Sequence, residues 1–226
     1  MTELISHIKQ NPISKKVMDS MRKALNGINI DSNNIDFTSL NRAHDRANKL
    51  DDCIVKVEEL SEYDPLHGIF IYGQNKMSVF VELLSELQEL SELTDAFSKA
   101  EEEYMPSYPP MSPLTESYFS FWASLDLCIG KSKESFATLA IDCCKELGAD
   151  NQLIEIFENM QKSRMGLYIC EGLYEKYTLF RELITQKKEK VIITSGFVAK
   201  PGVLIFGRLC FDKRFDYSVM VTTPYV

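Results

Sequence analysis

The chain has 226 residues, 45% hydrophobic and 26% charged, with a formal net charge of -8. This composition supplies a real core and excludes wholesale disorder. Glu3 stands where a signal peptide would be apolar, and no run approaches the roughly 18 apolar residues of a membrane span, so a soluble, cytoplasmic protein is expected. Residues 1–110 hold 11 Lys+Arg against 19 Asp+Glu, whereas residues 111–226 hold 14 of each. The acidic first half repels phosphate backbones and favours a protein partner of basic surface; nucleic acid is not the expected ligand.

A short helix is expected over residues 2–10, broken at Asn11-Pro12. A second helix places Ile13, Val17, Met21, Ala24 and Leu25 on one stripe and stops at Asn26-Gly27. Thr38 or Ser39 is positioned to cap the next, where Leu40, Ala43, Ala47, Leu50, Ile54 and Val57 follow a heptad-like seam. A further long helix is expected from Met77 to Glu103, with Phe80, Leu83, Leu87, Leu90 and Phe97 as its seam and Leu84 and Leu93 beside it. The two would form an antiparallel helical hairpin. Between them, "GIFIYG" (residues 68–73) reads as an apolar tip, either a buried strand or an exposed contact. Ile69, Phe70 and Tyr72 there, with Leu84 on the hairpin flank, are candidate partner-binding residues, and a homodimer is left open.

Pro106, Pro109, Pro110 and Pro113 make residues 105–113 an extended seam, near polyproline II, with two P-x-x-P spacings. Ser112-Pro113 then reads as the start of a helix reaching about Cys128. That helix is apolar nearly all round, which predicts burial on every side and a buried Trp122. Ser117, Ser120, Ser124 and Cys128 form a small-residue stripe. Asp126 on this helix needs a cation, and Arg164 is the partner expected from sequence. Two more helices complete a three-helix unit: one is capped by Ser132 or Ser135 and stopped at Gly148, the other runs from Asp150 towards Gly166.

From residue 165 the period switches to two. Five short segments, "GLYICEG", "KYTLFRELI", "KVIIT", "GVLIFGRLC" and "DYSVMVTT", read as antiparallel strands of a small sheet or barrel, SH3-like or OB-like by pattern alone. "TQKKEK" (185–190) and Lys213-Arg214, near Tyr168, Tyr177 and Phe211, give a nucleic-acid-binding β module as one alternative.

No motif names a reaction. His7, His44 and His67 lie in separate elements, and His44, Asp45, Asp51 and Asp52 in "AHDRANKLDD" do not share one helix face, so neither a metal site nor a cofactor is expected. The six cysteines match no zinc spacing and sit mostly among apolar residues, as reduced structural thiols do. The expected fold class is α+β. An acidic helical region (1–104) leads through the proline-rich seam (105–113) and a helical unit (114–164) to a small β unit (165–226). The function expected is a protein–protein adaptor or regulator. The alternative is an enzyme of unrecognised class with a cleft between the halves, for which Asp126 and Arg164 are the catalytic candidates.

Overall fold

The computed structural model describes residues 12–25, 45, 49, 56–104 and 113–226. The helices expected at 2–10 and across most of 38–60, residues 105–112 of the proline-rich seam, and His7, His44, Asp51, Asp52 and Cys53 lie outside the described residues. The chain divides into two compact units, each assembled from separated stretches. One comprises residues 1–54, 75–111 and 122–154, the other 55–74, 112–121 and 155–226. The fold is α+β: helices fill the first unit, and the second carries a closed five-stranded barrel.

In the helical unit, α1 (Pro12–Leu25) opens on a proline that has no N–H to satisfy. The next two amides, of Ile13 and Ser14, donate to the Glu134 carboxylate at 3.0 and 2.9 Å. Glu134 is fully buried, at the end of a tight turn closed by paired backbone bonds with Ile129. Gly130 (φ 68) and Lys133 (φ 53) give that turn its left-handed corners. One turn into α1, Val17 and Met18 enter a core with Leu84, Leu90, Leu93, Phe136, Leu139 and Cys143.

The long helix expected from Met77 to Glu103 is two helices. α2 spans Pro65–Ser85 and α3 spans Ser91–Tyr104, joined through an extended Leu87 and a 3₁₀ turn at Gln88–Leu90. The cause is burial. At about 100° per residue, Leu84 and Leu93 of a straight helix would point in opposite directions. The break turns Leu84, Leu90 and Leu93 into the same core, while Leu83, expected in the seam, is exposed.

The segment 68–73 is neither tip nor strand: it lies inside α2. Its glycines are places of close approach. A Cβ on Gly73 would strike Ile156 Cγ2 and lie 2.9 Å from Met160 Sδ, and one on Gly68 would lie 3.3 Å from the Leu60 carbonyl oxygen. Next, α4 (Pro113–Leu125) is not buried on every side. Phe119, Phe121, Ala123 and Leu125 are buried, but Glu116 and Ser120, four residues apart, face solvent, and Trp122 is only half-buried, 6.0 Å from the exposed Tyr104 ring. α5 (Phe136–Glu146) begins at a capping box in which Ser135 Oγ accepts from the Thr138 amide, and the chain turns away at Gly148 (φ 67), as the sequence suggested. α6 (Asn151–Lys162) leads straight into the barrel.

The five expected strands are present: β1 (Arg164–Leu173), β2 (Thr178–Glu182), β3 (Lys188–Ile193), β4 (Leu204–Phe211) and β5 (Ser218–Met220). They close in the order β1-β2-β3-β5-β4. One ladder differs from the all-antiparallel expectation, since β3 and β5 run parallel. A bulge at Glu171, between Cys170 and Gly172, helps β1 curve. Tyr168, Cys170, Phe180, Val191, Ile205 and Met220 fill the interior. The Tyr168 ring lies over Gly166, where any Cβ would collide with it, and burial pushes its hydroxyl up to about 12. Cys143, Cys144, Cys170 and Cys210 are buried free thiols, as expected of structural cysteines; Cys128 is exposed.

Candidate interaction surface

The second unit contains two polar constellations that could be read as sites. In the first, Glu155 and Asn159 of α6 and Ser163 just beyond it are spaced four apart, which sets them on one face. Glu155 pairs with Lys213 at 2.7 Å, Asn159 Nδ2 donates to Asp212 at 3.1 Å, and Ser163 Oγ accepts from the fully buried Arg208 at 2.9 Å. Asp212 is also fully buried and takes the Arg214 guanidinium through two bonds, of 2.8 and 2.7 Å. These bonds hold its carboxyl below the usual range despite burial. Burial pushes Cys210, between Arg208 and Asp212, up to about 12. Both acids are answered from within the unit, Glu155 by Lys213 and Asp212 by Arg214 and Asn159, so the row fastens α6 to β4.

The second constellation joins α2 to the approach to β5. Asp64 accepts the amides of Leu66 (3.0 Å) and His67 (3.3 Å) as the N-cap of α2, and it also accepts the Tyr217 hydroxyl at 3.0 Å. Burial and the Asp64 charge push Tyr217 up to about 12, so it remains a donor. Desolvation lowers His67, partly opposed by Asp64. A nucleophile would need a base within reach and a group to orient that base. Here the carboxylate is already taken by two backbone amides and the phenol. This is a tether.

A different surface lies on the outside of the barrel. Strand alternation sends Ile205 and Gly207 inward and Leu204 and Phe206 outward. The register sets Leu204 opposite Ile169 and Phe206 opposite Leu167, and Leu183 bonds to the Leu167 carbonyl at 2.8 Å. Opposed side chains on one face lie close enough to form a continuous surface. The result is an apolar strip across β4, β1 and the end of β2. Within it Leu204 is 45% exposed and Phe206 36%, and Ile184 beside it reaches 83%. Tyr118 bounds the strip: its ring stacks on Phe206 at 5.6 Å, and its hydroxyl donates to the carbonyls of Phe206 (2.8 Å) and Thr223 (2.6 Å). Among the described residues, ten of the fourteen exposed large hydrophobics belong to residues 164–226, so the apolar exposure is concentrated on the barrel.

Of the residues singled out from sequence, Asp126 lies half-buried in the turn after α4. Arg164 is exposed at the head of β1 and donates to the carbonyls of Gln161 (2.5 Å) and Ser163 (2.7 Å). Phe70 and Leu84 are buried and leave no side-chain surface for a partner; Ile69 and Tyr72 are half-buried. Sequence reasoning missed Leu204 and Phe206. The signal was present in the alternation of "VLIFG", but which parity faced outward depended on the pairing with β1. Among the described residues, no group of three or more His, Cys, Asp and Glu could hold a metal ion, and no helix is long and apolar enough to cross a membrane. Comparison with models of known families, with curated proteins and with solved structures returns no match.

Proposed function

We propose that this chain is a protein-binding adaptor or regulator and that the outer strip of the barrel is its contact surface. The observation that carries the reading is the alignment of Leu204 and Phe206, both exposed, with the half-buried Leu167 and Ile169 by strand register into one apolar face. Contiguous exposed apolar surface of this kind is uncommon on soluble proteins unless it meets a partner. Neither polar constellation competes with it, because the carboxylates of Glu155, Asp212 and Asp64 are engaged in holding elements together.

Position-specific photocrosslinking tests the reading. A benzophenone amino acid at position 204 or 184 is expected to trap one adduct of defined mass in cells. Position 147 is the control, because Leu147 is 49% exposed but stands alone at the end of α5. Adducts of the same pattern at all three positions, or none at 204 and 184, would refute the proposal. An adduct of twice the chain mass would identify the partner as a second copy.

A further inference from the structure

We infer that the strip receives an acidic segment of a partner protein that also carries aliphatic or aromatic side chains; this rests on reading the barrel as a docking module. The charge distribution points this way. Residues 164–226 hold 10 Lys+Arg against 6 Asp+Glu, a net of +4, while residues 1–163 hold 15 against 27, a net of -12. The barrel is thus basic within an acidic chain.

The rim of the strip has the same sign. Next to Ile169, Arg181 and Lys188 share one carboxylate, Glu171, at 2.7 and 2.6 Å, so two cations are answered by one anion. At the Leu204 end, Lys200 is exposed on the turn that feeds β4, with its carbonyl accepting the Val203 amide at 3.1 Å. The nearest acid on β2, Glu182, is turned into its own loop, where it accepts the amides of Ile184 and Thr185. A partner crossing this rim therefore meets positive potential around an apolar floor, and acidic residues flanking apolar ones complement it.

Nucleic acid fits the same net charge less well. Single strands need aromatic faces for base stacking and cations for phosphate. Tyr174 and Tyr177 stack on each other at 4.8 Å, Lys190 covers the Tyr177 ring, and Phe206 is stacked by Tyr118. Lys187 and Lys190 are each paired with an acid of their own, Glu189 and Asp216. Beside the stacked Phe206 the floor of the strip is aliphatic, with Leu204, Leu167 and Ile169, which suits protein side chains.

A random-peptide display library selected against the full chain tests this, with Leu204→Asp and Ile184→Asp as strip variants and Lys200→Glu as the charge variant. All three positions are exposed, so wild-type melting curves are expected and serve as the folding control. The expected binders combine Asp or Glu with Leu, Ile or Phe. They should be lost with either strip variant, and weakened about tenfold by Lys200→Glu and again by high salt. Binders lost with the strip variants but without acidic excess, and indifferent to Lys200→Glu, would overturn the acidic partner and leave the docking reading standing. Binders indifferent to both strip variants, or no binders at all, would overturn the docking reading itself. Displacement of the peptides by a single-stranded oligonucleotide that binds only when the strip is intact would replace the peptide by nucleic acid and overturn the inference.

Discussion

Replacing Glu134 should loosen a helix that begins some 120 residues earlier in the chain. A helix leaves its first four amides without internal partners. In α1 the proline removes one, and Glu134 accepts the next two, at 3.0 Å from Ile13 and 2.9 Å from Ser14. A lost cap costs about 1 kcal/mol, and a hydrogen bond to a charged group contributes about 1.5–3 kcal/mol. Both amides share one carboxylate, and these effects overlap with its attraction to the helix dipole, so they do not simply add. Glu134→Ala should therefore cost about 2–4 kcal/mol, and Glu134→Gln, which keeps a carbonyl acceptor but no charge, about 1–2 kcal/mol. Val17 and Met18 enter the core one turn later, beside Phe136, which follows Glu134 by two residues. Cap and core contact should thus fail together. Urea titration followed by circular dichroism measures the loss, and hydrogen exchange at Ile13 and Ser14 localises it. If Glu134→Gln is as stable as wild type while those two amides keep their protection, the charge is irrelevant and the reasoning fails.

Gly73→Ala should cost about 1–3 kcal/mol by forcing a methyl against Ile156 Cγ2 and Met160; in an Ile156→Ala background, which lacks that Cγ2, the same change should cost less in thermal melts, and a lone Gly73→Ala that melts like wild type would remove the close approach. Asp212 is held below its ordinary value of 3.8, first by the Arg214 hydrogen bond. A depressed carboxyl stabilises in full above its unfolded value, and the contribution is lost as pH falls towards the folded one. Asp212→Asn should remove about 1–2 kcal/mol near neutrality, discounted because Arg214 is partly exposed, and flatten the acid-side loss below about pH 4; an unchanged acid limb would contradict this. Tyr118→Phe should cost about 1 kcal/mol and speed amide exchange at Tyr225, which pairs with Phe206; unchanged exchange would show that the hydroxyl does not pin residues 223–225.

The strands were legible because each is a short period-two run bounded by turn residues, a pattern set by local physics. Their pairing was not, since the parallel β3–β5 ladder brings together residues 191–193 and 218–220. Two of the helical readings failed in the opposite way. "GIFIYG" carries the glycines of a turn, yet α2 runs through it because those glycines admit other groups at close range. "SELQELSEL" carries no breaker, yet the chain breaks there because Leu90 and Leu93 are more favourable inside the core. In both cases tertiary contact overrides local preference. The buried charges followed neither pattern: Arg208 and Asp212 sit outside the expected Asp126–Arg164 pairing, and only the four-residue spacing of Glu155, Asn159 and Ser163 hinted at a facing row.

The closed ladder bears on how a partner can be recognised. An open sheet with an apolar face also offers a row of unpaired amides and carbonyls at its edge, and an incoming strand can take both. Here each strand has a neighbour on either side in the order β1-β2-β3-β5-β4, and at Phe206 the residues before the C-terminus supply one, with Tyr225 exchanging both backbone bonds at 2.8 and 3.0 Å. Backbone pairing, which is indifferent to sequence, is therefore largely closed to a visitor. What remains is side-chain chemistry: the apolar floor of Leu204, Phe206, Leu167 and Ile169, and the cations at its rim. Recognition by side chains alone is selective, because a segment lacking either the apolar or the acidic component forfeits one of the two contributions. The same closure explains how the barrel can carry so apolar a face, since the face lacks the edge through which exposed strands polymerise.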